Sequence, residues 1–176
     1  IDRLGGAIHE RWGKLDILVV NAAILGVIAP IGHVEAKVFE RVMQINVTAT
    51  WRLIRSLDPL LQLSTAGRAI LMSSGAAASC KPFWGPYSAS KAAVESLGRT
   101  WAAENRNGHF RVNMVDPGAT RTAMRAQAVP GEDPSGLPHP SDVAEALMPL
   151  VATDLIDTGR LFEFRSGRFL DFHKPS

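Results

Sequence analysis

The sequence predicts an α/β fold, a parallel sheet with helices on both faces, and three observations carry that expectation. Short continuous apolar runs alternate with stretches of helical periodicity along the chain. The runs close on polar residues, Asn21, Ser73 with Ser74, and Asp116, as strands do when their carboxyl ends share a functional edge. The 176 residues suffice for one domain with a substantial core and not for two ordinary ones, so residues 1–176 are read as a single domain.

Each element has a local reason. Residues 1–12 set Leu4, Ile8 and Trp12 at four-residue spacing, a helical stripe that should pack inward, and Gly13 stops it. "KLDILVVNAA" is a continuous apolar run, the pattern of a strand buried on both faces. From about Val34 to Leu57, Val38, Val42, Val47, Trp51 and Ile54 recur at helical intervals, so one long helix is expected. "GRAILMSSGAA" is the next strand. Residues 86–106 form a helix rich in Ala and Ser, whose small side chains allow close approach to a sheet. "FRVNMVDPG" is a third strand, broken by Pro117 and Gly118. Residues 119–138 are rich in Pro and Gly without periodicity and read as a long functional loop. Pro140 suits the first turn of a helix reaching Ala152, with Ser141 and Asp142 at its positive end, and Pro149 should end it early. "GRLFEF", residues 159–164, is the last strand.

Composition excludes several classes. The net charge of +2 is spread along the chain, so no nucleic-acid partner is expected. The longest apolar stretch, residues 17–32, is interrupted by Asn21, Gly26 and Pro30 and makes a poor membrane span. Cys80, the single cysteine, has no internal disulfide partner, which suits a reducing cytoplasm. The five His residues lack ligand spacing, and no metal site is expected. The chain opens on "IDRLGG" inside a helical pattern, which reads as a cut end.

The chemistry centres on the only tyrosine, Tyr87, four residues before Lys91 at a helix start, hence on one helix face. A free phenol titrates near ~10, and exchange at neutral pH asks for a fall of about three units, roughly 4 kcal/mol. An ammonium at about 4 Å supplies about 4 kcal/mol at an effective dielectric near 20, less its desolvation. Tyr87 is thus a candidate general acid or base, against the plainer reading of an exposed helix start with a solvated lysine. Ser74, at a strand end thirteen residues earlier, has a hydroxyl that can meet the same substrate oxygen; the alternative is a strand-end cap, the role expected of Ser73. Asn46 is mildly unfavourable inside a helix. It is either solvated or turned to the sheet edge to hold a water linked to Lys91. Phe83, Trp84 and Met124 flank the expected substrate position or pack in the core. Arg121 and Arg125 face solvent or an acidic substrate, and Cys80 reads as a loop thiol.

These residues reach a known family. Asn21-Ala22-Ala23, Asn46, Ser74, "YSASK" with Tyr87 and Lys91, and Pro117-Gly118 followed by Thr122 resemble, in order and spacing, the signature of the classical short-chain dehydrogenases/reductases. The resemblance implies a Rossmann-like fold and hydride transfer between NAD or NADP and an alcohol or carbonyl substrate. It implies a catalytic tetrad of Asn46, Ser74, Tyr87 and Lys91. It places Asn21, Ala22 and Ala23 along the cofactor, Tyr87 and Lys91 at the nicotinamide ribose, and Pro117, Gly118, Thr120 and Thr122 in the turn at the carboxamide. Residues 119–138 become the substrate loop, and a homodimer or homotetramer is implied, with the helices of Asn46 and Lys91 across the dimer interface. "PGATRTAMRAQAVPGEDP" also looks like one bacterial branch of oxidoreductases. Two departures stand out. Ala23 occupies a position where the family usually has Gly, and the family's first strands with their TGxxxGxG turn are missing, since Gly5-Gly6 lies within a helical pattern. Without that turn the pyrophosphate loses a backbone N–H site and a helix terminus. The rival expectation is a non-catalytic fragment or binding protein unable to hold the full cofactor.

Overall fold

The computed structural model describes residues 1–172. Five strands form one sheet in the order β1 (Ile17–Val20), β2 (Arg68–Met72), β3 (Arg111–Asp116), β4 (Leu161–Glu163) and β5 (Arg168–Leu170). The pairs β1·β2, β2·β3 and β3·β4 are parallel, while β4·β5 is antiparallel. The α/β expectation holds, with one correction: the sheet is mixed. The strand expected over residues 159–164 is not the last, because Gly167, at φ 65°, reverses the chain into β5; positive φ is open to glycine at little cost.

Alternation along the strands sorts their side chains onto two faces. Ala69, Leu71, Val112 and Met114 join Val20, Val94 and Trp101 in one core, beneath α3 (Ala49–Gln62) and α5 (Gly85–Glu104). On the other face, Ile70, Val115 and Phe162 pack with Leu150, and Leu147 and Val151 lie against them. Burying a side chain such as Leu71 or Met114, both at 0% exposure, contributes about 1.5–3 kcal/mol.

Two packing expectations are corrected. The first strand is not buried on both faces: Ile17 is 45% and Val19 47% exposed, because no element among the described residues covers that side of β1. In α1 (Asp2–Trp12), Leu4 and Trp12 of the expected stripe are exposed and Ile8 is half-buried. The helix packs instead through Gly5, where a Cβ would lie 2.5 Å from Ser56 Oγ; small size, not apolarity, selects the buried face.

The long second helix is divided. α2 (Ala36–Met43) passes through one π-helical turn, Gln44–Thr48, into α3, which continues past Pro59 to Gln62. Such a turn inserts a residue and rotates the helix beyond it. Residues 119–138 are not structureless: α6 (Ala123–Ala128) and a 3-10 turn, Pro134–Gly136, lie within them. A short α4 (Ala76–Ser79) comes after β2. α7 (Pro140–Ala146) ends early, as Pro149 requires, and a 3-10 turn, Met148–Val151, succeeds it. No helix among the described residues is long and apolar enough to cross a membrane.

Candidate active site

Parallel pairing sets the carboxyl ends of β1, β2 and β3 side by side, with Val20 opposite Leu71 and Met72 opposite Val115. Asn21, Ser73 with Ser74, and Asp116 therefore reach one edge, as the strand-end pattern predicts. α5 begins above that edge, with Pro86 in its first turn. Its first turns carry Tyr87 and Lys91, 8% and 4% exposed.

Three groups meet there. The Ser74 hydroxyl faces the Tyr87 phenol closely enough to act on its ionisation and accepts from the Ala76 N–H at 3.2 Å, which fixes its direction. Lys91 Nζ donates to the Met72 carbonyl oxygen at 2.7 Å and stands 5.6 Å from the centre of the Tyr87 ring. Trp84 packs edge-on to that ring at 6.0 Å.

The electrostatics differ from the sequence expectation. Burial pushes the Tyr87 phenol above its usual range; the Ser74 hydroxyl works against this and the Asp116 charge adds to it. Burial also lowers the Lys91 ammonium to about 8. The cation does not govern the phenol here, because it is turned to a main-chain oxygen and both groups share a poorly solvated site.

Asn46, 1% exposed, sits in the π-helical turn. Its Oδ1 accepts from the Ile24 N–H at 2.8 Å, and its Nδ2 donates to the Ile24 carbonyl and to Ser90 Oγ, each at 2.9 Å. Ser90 donates in turn to the Tyr87 carbonyl at 2.7 Å. Thr50 donates to the Asn46 carbonyl at 2.7 Å. The side chain is thus turned inward and its two N–H donors are both spent on protein atoms, so the reading in which it is solvated fails.

The cofactor candidates line the same edge. Asn21 and Ala22 are exposed beyond β1, and Ala23 is half-buried. Gly118, at φ 65°, donates its N–H to Asp116 Oδ1 at 3.0 Å. Thr120 donates to the Pro117 carbonyl at 3.2 Å, and Thr122 accepts from the Arg125 N–H at 3.1 Å as the cap of α6. Between this α6 and the segment 23–26 lies a cleft of about 360 Å³ bordered by Ala23, Leu25, Met124 and Gln127. Leu25, Ala76 and Tyr87 form an apolar cluster with Ile28, Trp84 and Met124 against it. A larger hollow of about 970 Å³ lies at the far end of α5, beside Arg99, Arg106 and Arg160, away from these groups.

Phe83 is 54% exposed, Cys80 is exposed at the end of α4, and Arg125 is tied to Glu132 at 2.5 Å. Among the described residues, no three His, Cys, Asp or Glu side chains gather where they would hold a metal. Sequence reasoning missed Ser90, Glu95 and the Met72 carbonyl. Ser90 had a signal, a serine three residues past Tyr87 able to bond back to its carbonyl. Glu95 had one as well, since it extends the spacing of Tyr87 and Lys91 by another four.

A Rossmann-like sheet whose polar strand ends gather at one carboxyl edge defines a class, the fold of the short-chain dehydrogenases. The chain belongs to the short chain dehydrogenase family, which it matches over residues 1–133. It is 38% identical over 167 residues to the oxidoreductase YciK of Escherichia coli strain K12, covering 94% of this chain and 66% of that one. Among solved structures, a short chain dehydrogenase of Salmonella enterica serovar Typhi strain CT18 superposes with a TM-score of 0.91 at 36% identity, over 93% of this chain and 68% of that one. Another, from Escherichia coli CFT073 and complexed with NADPH, gives 0.89 at 38% identity, over 93% and 68% of the two chains. The chain spans 66% of YciK and about half of the next curated relatives.

Proposed function

We propose that this protein contributes the catalytic part of an NAD- or NADP-dependent oxidoreductase acting on a small alcohol or carbonyl substrate, with Tyr87 as its acid and base. The observation that carries the reading is the meeting of Ser74 with the Tyr87 phenol above a lysine buried in the same site. NADPH is the group bound by the similar Escherichia coli CFT073 enzyme.

The residues present fit the nicotinamide half of such a cofactor. Lys91 spends one donor on Met72 and has two further N–H bonds to offer ribose hydroxyls. Asn21, Ala22 and Ala23 lie along the same edge, and the turn Pro117, Gly118, Thr120 and Thr122 closes it for the carboxamide. The pyrophosphate half lacks its usual site among the described residues, because Gly5 and Gly6 are inside α1 and do not form a strand-to-helix turn. When bound, the cofactor supplies or accepts the hydride.

In reduction, Tyr87 gives its proton to the substrate oxygen while the Ser74 hydroxyl stabilises the charge developing there. A phenol pushed upward by burial stays protonated at neutral pH, the form that donates. Lys91 stabilises the phenolate left behind. Asn46 keeps the loop after β1 and the start of α5 in register through Ile24 and Ser90, as a positioning member of the tetrad. Leu25, Trp84 and Met124 exclude water beside the phenol. The exposed Trp51 of α3 suits pairing with a second copy as a homodimer or homotetramer.

The test is hydride transfer from NADH and from NADPH to a panel of ketones, by this chain and by the same chain extended with a Gly-rich nucleotide-binding segment. Tyr87→Phe should lower turnover of the active form by at least about a thousandfold without changing its melting curve. Full activity in that variant would overturn the assignment.

A further inference from the structure

Tyr87, Lys91 and Glu95 are spaced four apart on α5, so they rise along one helix face. Each faces a different member of one tripeptide at the end of β2, and the latter two hold theirs by hydrogen bonds. The Tyr87 phenol meets the Ser74 hydroxyl, Lys91 meets the Met72 carbonyl, and Glu95 Oε1 accepts from Ser73 Oγ at 2.6 Å. Ser73 is 2% exposed, and its N–H donates to the Val115 carbonyl on β3 at 2.7 Å. The strand end carrying the site's serine is therefore pinned from two sides, by β3 through the main chain and by Glu95 through the side chain.

We propose that Glu95 is a positioning residue for the proton donor: by holding Ser73 it fixes the adjacent Ser74 hydroxyl on the Tyr87 phenol and the adjacent Met72 carbonyl on Lys91. The inference rests on the reading of Tyr87 as the acid and base. The charge environment gives Glu95 no structural reason to be there. Burial pushes its carboxyl up, the Ser73 hydrogen bond opposes this, Asp116 adds to it and Arg99 counters it. No cation among the described residues is hydrogen-bonded to it, so the side chain bears a desolvation cost with Ser73 as its main compensation. A helix that needed only to lie on the sheet would be served by an apolar residue at this position.

Tyr87 is the only tyrosine in the chain, which makes its ionisation directly readable. With tyrosine labelled at 13Cζ, one resonance reports the phenol across an alkaline titration, and no substrate or cofactor is needed. Five proteins are compared: wild type, Ser74→Ala, Ser73→Ala, Glu95→Gln and Glu95→Leu. Ser74→Ala removes the hydroxyl from the phenol and should lower its ionisation constant by about threefold or more. Glu95→Leu and Glu95→Gln lose the same charge, but only the glutamine keeps an acceptor for Ser73. Leu should therefore titrate higher than Gln by a similar factor, and Ser73→Ala higher than wild type. If Gln and Leu titrate together, or Ser73→Ala titrates with wild type, Glu95 does not act through Ser73 and the proposal is overturned. If Ser74→Ala itself leaves the titration unmoved, it is the reading of Ser74 and Tyr87 that fails, and the two failures are told apart. Ser73→Ala deletes one oxygen and keeps every main-chain bond, so it decides the question even where the leucine variant does not fold.

Discussion

Lys91 donates to the main-chain oxygen of Met72 at 2.7 Å and reaches the Tyr87 ring only at 5.6 Å from its centre. The tether fixes the ammonium in a site where burial lowers it to about 8 from its ordinary 10.5. Below about pH 8 the lysine is charged in the folded and unfolded chain alike, and the folded state carries the whole desolvation penalty. Between about 8 and 10.5 the folded chain gives up its proton first, the unfolded chain binds more protons, and stability rises with pH. Urea unfolding of wild type and Lys91→Met at pH 7 and pH 10 isolates this contribution. The difference between the two proteins should move in favour of wild type by about 2 kcal/mol over that range. A difference independent of pH would mean that the lysine titrates as if in water.

Asn46 joins three segments through one side chain, and its removal should show in stability before it shows in chemistry. Asn46→Ala strands the N–H and C=O of Ile24 and takes the donor from Ser90, in a position that is 1% exposed. A loss of about 2–4 kcal/mol is expected from urea unfolding. Asn46→Asp keeps the acceptor for the Ile24 N–H but loses both donors, so it should not rescue. The double variant with Ser90→Ala should cost less than the sum of the two single changes. Strict additivity would mean that Asn46 and Ser90 act separately.

What the sequence made legible was the order of elements and the edge where the polar strand ends meet, because continuous apolar runs and helical periodicity report burial directly. Tyr87 and Lys91 were legible as a pair from helical spacing alone, and Ser74 from its place at a strand end. The sign of the Tyr87 perturbation was not, since it depends on where the Lys91 ammonium points and how deeply both groups are buried. Neither was the π-helical turn at Asn46, because one inserted residue leaves the apolar periodicity on either side nearly intact. The packing of α1 through Gly5 was invisible to an apolar pattern, which registers Leu4 and Trp12 and cannot register close approach. β5 escaped for the opposite reason: three residues, the first of them charged, give too short a pattern to read.

Gly98 sets the height of α5 above the sheet, and with it the reach of Lys91 to Met72. A Cβ there would overlap Met114 Sδ and lie 3.2 Å from Met114 Cγ and 3.3 Å from Leu71 Cδ2, contacts that force either the methionine or the helix to move. Alanine is the better helix former by about 1 kcal/mol, so a neutral site would be stabilised by the change. Here the overpacking should win, and Gly98→Ala should lose about 1–3 kcal/mol, read as a lower melting temperature. Met114→Ala alone opens a cavity in a core position at 0% exposure and should also destabilise, by about 2–5 kcal/mol. Combined, the added methyl enters the space the methionine leaves, so the pair should lose less than the sum of the parts. An additive pair, or a Gly98→Ala variant more stable than wild type, would show that α5 is free to ride higher on the sheet, and the Lys91 tether to Met72 would then not depend on this close approach.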